Sequence, residues 1–386
     1  MFHVLLLLAC AVAIYVACEW FVNAVEWLGV RLEVGPVAVG TILAAAGTAL
    51  PESVVTLVAV LFGSHEHGND IAVGAAMGGP LVVGTIAYGV TGGMLIWRKR
   101  RQRAALTAAA SPRGAWAAAP GGVGPDGTGT GSDSSGGLGG SLALATDDRG
   151  DHPAGGNLAG DDLAGVDTAR LARDQMWFLA IFAVKVGLGL VAFAVKPWLG
   201  LVFFAVYALY FRREMSAGGE QASDEGLEPL KLQRYRARPS TTAVVTQTVA
   251  TLAVIFVASQ LFVQQLEWAG PALGLPSAVV ALLLSPVATE LPEIMNAIIW
   301  VRQGKLQLAL ANISGAMMIQ ATVPSGIGLL FTAWKFDTPL VLAGVATAGS
   351  IVYLLCILRA RRLTAGKLAA ATAFYVAFAV GLVLTL

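Results

Sequence analysis

Gly47-Thr48-Ala49-Leu50-Pro51-Glu52 and Ala288-Thr289-Glu290-Leu291-Pro292-Glu293 say the same thing twice. Each puts a glutamate directly after a proline inside a long apolar run. The copies lie 241 positions apart, and the likeness continues on both sides. Phe21-Val22 pairs with Phe262-Val263, Glu26-Trp27 with Glu267-Trp268, Gly29 with Gly270 and Gly63 with Gly304. Without a gap, 21–63 and 262–304 share 14 of 43 positions, where an apolar-biased chain gives roughly 4 by chance. The chain is therefore internally duplicated. An ionisable side chain within a membrane helix costs about 2.5–3.5 kcal/mol on insertion scales and marks a functional site. Two of them in duplicated positions point to a transporter with its site between the repeats.

Composition fixes the solvent. The chain of 386 residues is 56% apolar and 13% charged, with a mean hydropathy of +0.71. A soluble domain is excluded, and a polytopic membrane protein is expected. The net charge of +1 gives no reason to expect nucleic acid as a partner; the lipid bilayer and inorganic cations are the expected ones. Cys10, Cys18 and Cys356 all lie in apolar runs and read as packing residues. The first apolar run lacks a basic segment before it, so it reads as a retained span and not as a leader.

Apolar runs of spanning length cover 3–28, 36–62, 71–97, 176–195 and 197–211, then 242–268, 276–301, 306–333, 338–358 and 366–386. The expectation is an all-α protein of ten transmembrane helices, five in each half. Repeat 1 takes 1–97 and 176–211; repeat 2 takes 242–386. The stretch 98–175, rich in Gly, Ala, Ser and Asp beyond its basic start, reads as a disordered cytoplasmic linker, and 212–241 as a polar cytoplasmic loop. Arg98-Lys99-Arg100-Arg101, Arg212-Arg213, Lys231–Arg238, Arg302–Lys305 and Arg359–Arg362 all fall on one side, whereas the other holds Lys196 and Lys335. The positive-inside rule makes the first side cytoplasmic and leaves both termini outside. Five helices per repeat is an odd number, so the two halves are inverted, the usual frame for alternating access. The plasma membrane of a prokaryote is the expected location. Trp27, Trp97, Trp177, Trp268, Trp300 and Trp334 near helix ends read as interfacial anchors.

Within each copy the proline removes a backbone donor and clashes with the carbonyl four residues back, that of Gly47 or Ala288. Water is absent at that depth, so a freed carbonyl needs another partner, and a bound cation is one. Thr48 and Thr289 stand one turn before the glutamates and can face the same way. Carboxylate, hydroxyl and carbonyl oxygens are hard ligands that suit Ca2+, Na+ or a proton.

These residues resemble the sodium/calcium exchanger superfamily. Gly47 to Glu52, followed by Asp70-Ile71-Ala72-Val73-Gly74 and Gly78, is similar to its first alpha-repeat. Thr289 to Glu293, followed by Leu308-Ala309-Leu310-Ala311-Asn312-Ile313-Ser314-Gly315, is similar to its second. The resemblance implies a cation antiporter with Glu52 and Glu293 as central ligands and Thr48 and Thr289 beside them. In the family the helix after each glutamate reads Gly-Ser-Asn-x-x-Asn. Here the first copy reads Gly78-Gly79-Pro80-Leu81-Val82-Val83, which puts Val83 at a ligand position. The second reads Gly315-Ala316-Met317-Met318-Ile319-Gln320, so Gln320 keeps a polar amide. Glu290 is an added carboxylate where the first copy has Ala49. The expected metal ligands are thus Glu52, Glu293, Thr48, Thr289, Gln320 and Glu290. Ca2+ takes six to eight oxygens, and the thinner ligand set favours protons or a single cation.

The remaining polar residues read more simply. Lys185 in the fourth span is expected to snorkel, with Glu19 or Glu26 as other partners. Glu26 and Glu267 read as interfacial, and His65-Glu66-His67 with Asp70 as a solvated outer loop. No nucleophile and base, phosphate loop or cofactor motif is visible, so the chain is not expected to be an enzyme or to hold a resident cofactor. Three readings remain open: a Ca2+ or other cation antiporter, a proton-coupled Na+ or K+ exchanger, and a non-transporting scaffold or sensor on the same fold.

Overall fold

The computed structural model describes residues 2–49, 53, 57, 60, 65–109, 163, 165–191, 196–216, 227–272, 274 and 283–385. Among them there is helix and no strand. The chain divides into two compact units, Met1–Trp97 with Asp162–Leu386, and Arg98–Asp161. Of the second unit, residues 98–109 are described, and they are helical.

The first half opens with α1, Phe2–Arg31. A shorter apolar helix, α2, covers Pro36–Ala49 and contains a π-helical stretch at Val39–Ala44. Helix α3 runs as His65–Val82, a second π-helical stretch Val83–Ala87, and Tyr88–Ala109. Then follow α4, Thr168–Leu190, and α5, Leu199–Ser216. In the second half α6 is Thr241–Ala272. Two shorter helices, α7 at Ser285–Thr289 and α8 at Leu291–Arg302, share the run that corresponds to α2. Helix α9 is Leu306–Phe331, α10 is Thr338–Arg359, and α11 (Ala365–Ala370) and α12 (Thr372–Thr385) make the last run.

Six of these stretches are long and apolar enough to cross a membrane: His3–Arg31, Ala76–Ala105, Thr241–Gln265, Leu306–Phe331, Thr338–Arg359 and Ala365–Thr385. Their outward faces are apolar in stripes. Leu5, Leu8, Val12 and Val16 on α1, Val245, Val249, Val254 and Val257 on α6, and Val376, Val380 and Val383 on α12 are exposed at helical spacing. Such stripes are costly in water and suited to lipid. Helix α9 is the most deeply buried of the six, with α2, α3, α4, α5 and α8 against it.

Several sequence expectations change here. Residues 168–175 begin α4, and His65-Glu66-His67 begins α3 as helix, not loop. Trp97 and Trp268 are exposed as anchors should be, but Trp27, Trp300 and Trp334 are buried. Their indole N–H groups donate to Glu228 O (2.9 Å), Glu26 Oε1 (2.9 Å) and Lys185 O (3.1 Å). A buried indole needs such an acceptor, which makes these three internal ties. Glu26 is likewise buried and not interfacial; Lys305 Nζ donates to its Oε2 at 2.5 Å. Glu19 pairs with Lys231 at 2.9 Å, so neither glutamate is taken by Lys185.

Close helix approach is made at glycines. A Cβ on Gly315 of α9 would stand 2.1 Å from Thr41 O of α2. One on Gly40 of α2 would stand 2.8 Å from Ala311 Cβ and 3.0 Å from Leu308 O. Only a residue without a side chain lets these two backbones touch.

Candidate cation site

Pro292 acts as its chemistry requires. The run stops being helical at Glu290 (φ −86°, ψ 4°), between α7 and α8. The N–H of Glu290 donates to Pro286 O at 3.1 Å, and Ile294 N donates to Glu290 O at 3.1 Å. The break turns Glu290 and Glu293 inward, each about 1% exposed. Gln320 on α9, equally buried, donates its Nε2 to Glu290 Oε2 at 2.5 Å.

Across from this pair stands Gly79 of α3. A Cβ there would meet Glu290 Oε1 at 2.9 Å, Gln320 Cδ at 3.0 Å and Gln320 Nε2 at 3.2 Å. Gly79 lies 241 positions before Gln320, the spacing of the two repeats. The residue that faces Gln320 is therefore Gly79, and not Val83, which is buried in the π-helical stretch that follows. Neighbouring Gly78 packs on Pro286, whose Cγ would lie 2.7 Å from an added Cβ.

The threonines use their protons on their own helices. Thr48 Oγ1 donates to Ala44 O at 3.1 Å, and Thr289 Oγ1 to Pro286 O at 3.0 Å. A hydroxyl whose hydrogen is so placed presents only lone pairs elsewhere, which is what a cation needs. Ser53 repeats the pattern, donating to Ala49 O at 3.3 Å. Leu50, Pro51 and Glu52 lie outside the described residues; of the expected set, Thr48, Thr289, Glu290, Glu293 and Gln320 are described, and a hydrogen bond joins Gln320 to Glu290. Among the described residues no three His, Cys, Asp or Glu side chains group as a metal cluster.

Two further buried amides are not among the expected ligands. Asn296, one turn after Glu293 on α8, and Asn312 on α9 are fully buried, and neither the oxygen nor the nitrogen of either side chain has a hydrogen-bond partner among the described residues. Such orphans are rare. The spacing Glu293 to Asn296 could have signalled the first. Tyr88 OH, Ser314 Oγ and Gln175 form a further buried set, with Gln175 Nε2 donating to Tyr88 OH at 2.6 Å.

Lys185 is where sequence reading errs most. It does not snorkel: it is fully buried. Its Nζ donates to Ala76 O of α3 at 2.6 Å and to Ser325 Oγ of α9 at 3.2 Å. The Ala76 carbonyl is the one that Pro80, four residues on, leaves without a helical donor. Ser325 Oγ in turn approaches Gln320 O at 3.5 Å, the carbonyl freed by Pro324. Pro80 and Pro324 were the available sequence signals.

The family profile described as sodium/calcium exchanger protein matches residues 2–111 and 244–384. No curated protein sequence matches the chain. Among solved structures, the sodium-calcium exchanger NCX_Mj soaked with 10 mM Na+ and zero Ca2+ is similar at TM-score 0.64 and 15% identity, covering 97% of each chain. The same exchanger soaked with zero Na+ and Ca2+ gives TM-score 0.62 and 16% identity, again over 97% of each. At that identity the likeness shows the fold, a multi-pass helical one. The profile match spans well over half of the sequence, and the chain belongs to the sodium/calcium exchanger family.

Proposed function

We propose that the chain is a secondary active antiporter that exchanges Ca2+ or another cation for Na+ or H+. The observation that carries the reading is Glu293 and Glu290, buried beside a proline-made helix break, with Gln320 hydrogen-bonded to Glu290. An ionisable group inside a membrane protein costs several kcal/mol and is by default the hypothesis of a functional site. Glu52 is the partner carboxylate from the first repeat, and Thr48 and Thr289 add hydroxyl lone pairs. The ten spans form two inverted five-helix halves with both termini outside the plasma membrane, and alternating access moves the halves about the site. Cations are cargo, and protons compete for the same carboxylates.

One observation favours a proton-coupled Na+ or K+ exchanger as the second reading. Gly79 and Ala49 offer no side-chain oxygen where the other repeat has Gln320 and Glu290. That leaves a short set for an ion that takes six to eight oxygens. Uptake into proteoliposomes, with Ca2+, Na+, K+ and pH varied one at a time, separates the readings. Ca2+ uptake driven by a Na+ or H+ gradient supports the first; Na+ or K+ movement driven by H+ without Ca2+ uptake supports the second. No gradient-driven flux of any of these ions leaves only the scaffold reading.

A further inference from the structure

Lys185 has no place in the exchange chemistry described so far, yet it sits at the join of the two site helices. Its ammonium is held by a proline-freed carbonyl on α3 and a hydroxyl on α9. These are the same kinds of neutral oxygen that hold Na+. Phe182 adds a ring face 5.0 Å from Nζ. Ala76 is one turn before Gly79, about 4.5 Å along the helix axis, and Gly79 faces Glu290 and Gln320. Ser325 leads to the same place from the other side, through the Gln320 carbonyl. Both of these acceptors thus adjoin the Glu290–Gln320 pair.

The two copies differ around both the lysine and the carboxylate. Glu290 stands where the first copy has Ala49. The position equivalent to Ser325 in the first copy is Gly84, 241 residues earlier, and the group that donates to the Gly84 carbonyl is the neutral Ser350 of α10, at 2.7 Å. The Glu290 carboxylate and the Lys185 ammonium thus each occupy a place that is neutral in the other copy.

We propose that Lys185 is a tethered cation of the exchange site: its ammonium balances Glu290 and stands where a chain with a neutral residue would require an additional monovalent cation. Lys185 thereby sets how many cations the site takes, leaving Glu52 and Glu293 for the exchanged ions. This rests on the antiporter reading for its meaning, but its test does not require transport.

The test follows thermal unfolding of the purified full chain against Na+, K+ and methylammonium concentration. The chains compared are wild type, Lys185→Gln, Glu290→Gln and the double variant. Removing the tethered charge alone should steepen the dependence of stability on log cation concentration by about one bound ion. Removing Glu290 as well should return the slope to the wild-type value, since charge is again balanced. A tie that serves only to hold α3 against α9 would lower stability at every concentration and leave the slope unchanged in both variants. An unchanged slope in Lys185→Gln, or a double variant that does not revert, overturns the proposal. If Lys185→Gln cannot be recovered folded in any cation, the double variant decides: its recovery supports charge balance, and its failure beside a folded Glu290→Gln chain overturns it. Wild-type flux in proteoliposomes is scored separately, so a failure of the antiporter reading is not confused with a failure of this one.

Discussion

The two halves of the molecule carry one sequence pattern but different site chemistry. Around Pro292 the second half buries Glu290 and Glu293, with Gln320 hydrogen-bonded to Glu290, and the break in the helix is plain at Glu290. The first half faces the Glu290–Gln320 pair with Gly79, while Gly78 packs on Pro286 and a lysine from α4 donates to the Ala76 carbonyl of the same helix, α3. The two duplicated frames carry polar atoms at Glu290 and Gln320 in one copy and the small residues Ala49 and Gly79 at the same positions in the other. Gly79 explains why this is tolerated. With no side chain there, Gln320 and Glu290 fill the space that an amide from the first half would have occupied.

The largest test of that comparison is Glu293→Gln, which should reduce cation flux to that of empty vesicles, because the amide keeps the shape and removes the charge. If flux in this variant matches wild type, the second half is not the charged half of the site. Next in size are the ties that hold each half together. In the first half, Arg170 of α4 pairs with Glu214 of α5, both largely buried. Replacing Arg170 by Ala leaves a buried carboxylate alone and should destabilise the protein by about 3–5 kcal/mol in thermal or denaturant unfolding. In the second half a tie between α10 and α11 is neutral, Tyr353 OH donating to Lys367 O at 3.1 Å. Tyr353→Phe should cost only about 1 kcal/mol, and equal losses in the two variants would erase the contrast.

Between these lies Gly79→Ala. The added methyl meets Glu290 and Gln320 at 2.9–3.2 Å, and overpacking of this kind costs about 1–3 kcal/mol. It should also weaken the apparent cation affinity in uptake assays, since the Gln320–Glu290 pair must shift. A variant with wild-type affinity would place the ion elsewhere.

Much of this was legible in the sequence, for identifiable reasons. The proline-glutamate pairs survive at a fixed spacing, and apolar runs mark the spans because lipid leaves the backbone no other solution than helix. The family resemblance carried the same motifs to a fold, which the structure then showed. What the sequence hid depends on which residues meet across helices. Taking Gly78-Gly79-Pro80 as a motif in its own right put Val83 at the site, whereas the spacing of the repeats leads to Gly79. Lys185 looked like a snorkelling side chain because a single lysine in a span gives no direction. Its target, the carbonyl of Ala76, was implied by Pro80, but the pairing needs α4 beside α3. Trp27, Trp300 and Trp334 were misread because an indole near a helix end serves an inner acceptor as readily as an interface.

The central claim is that carboxylates from the two halves exchange cations across the membrane. The most direct measurement is cation uptake into proteoliposomes under an imposed Na+ or H+ gradient, comparing wild type with the Glu52→Gln/Glu293→Gln double variant. Saturable uptake that follows the gradient in wild type and disappears in the double variant is the predicted result. Uptake that persists undiminished in the double variant, or wild-type vesicles no more active than empty ones under every gradient, would contradict it.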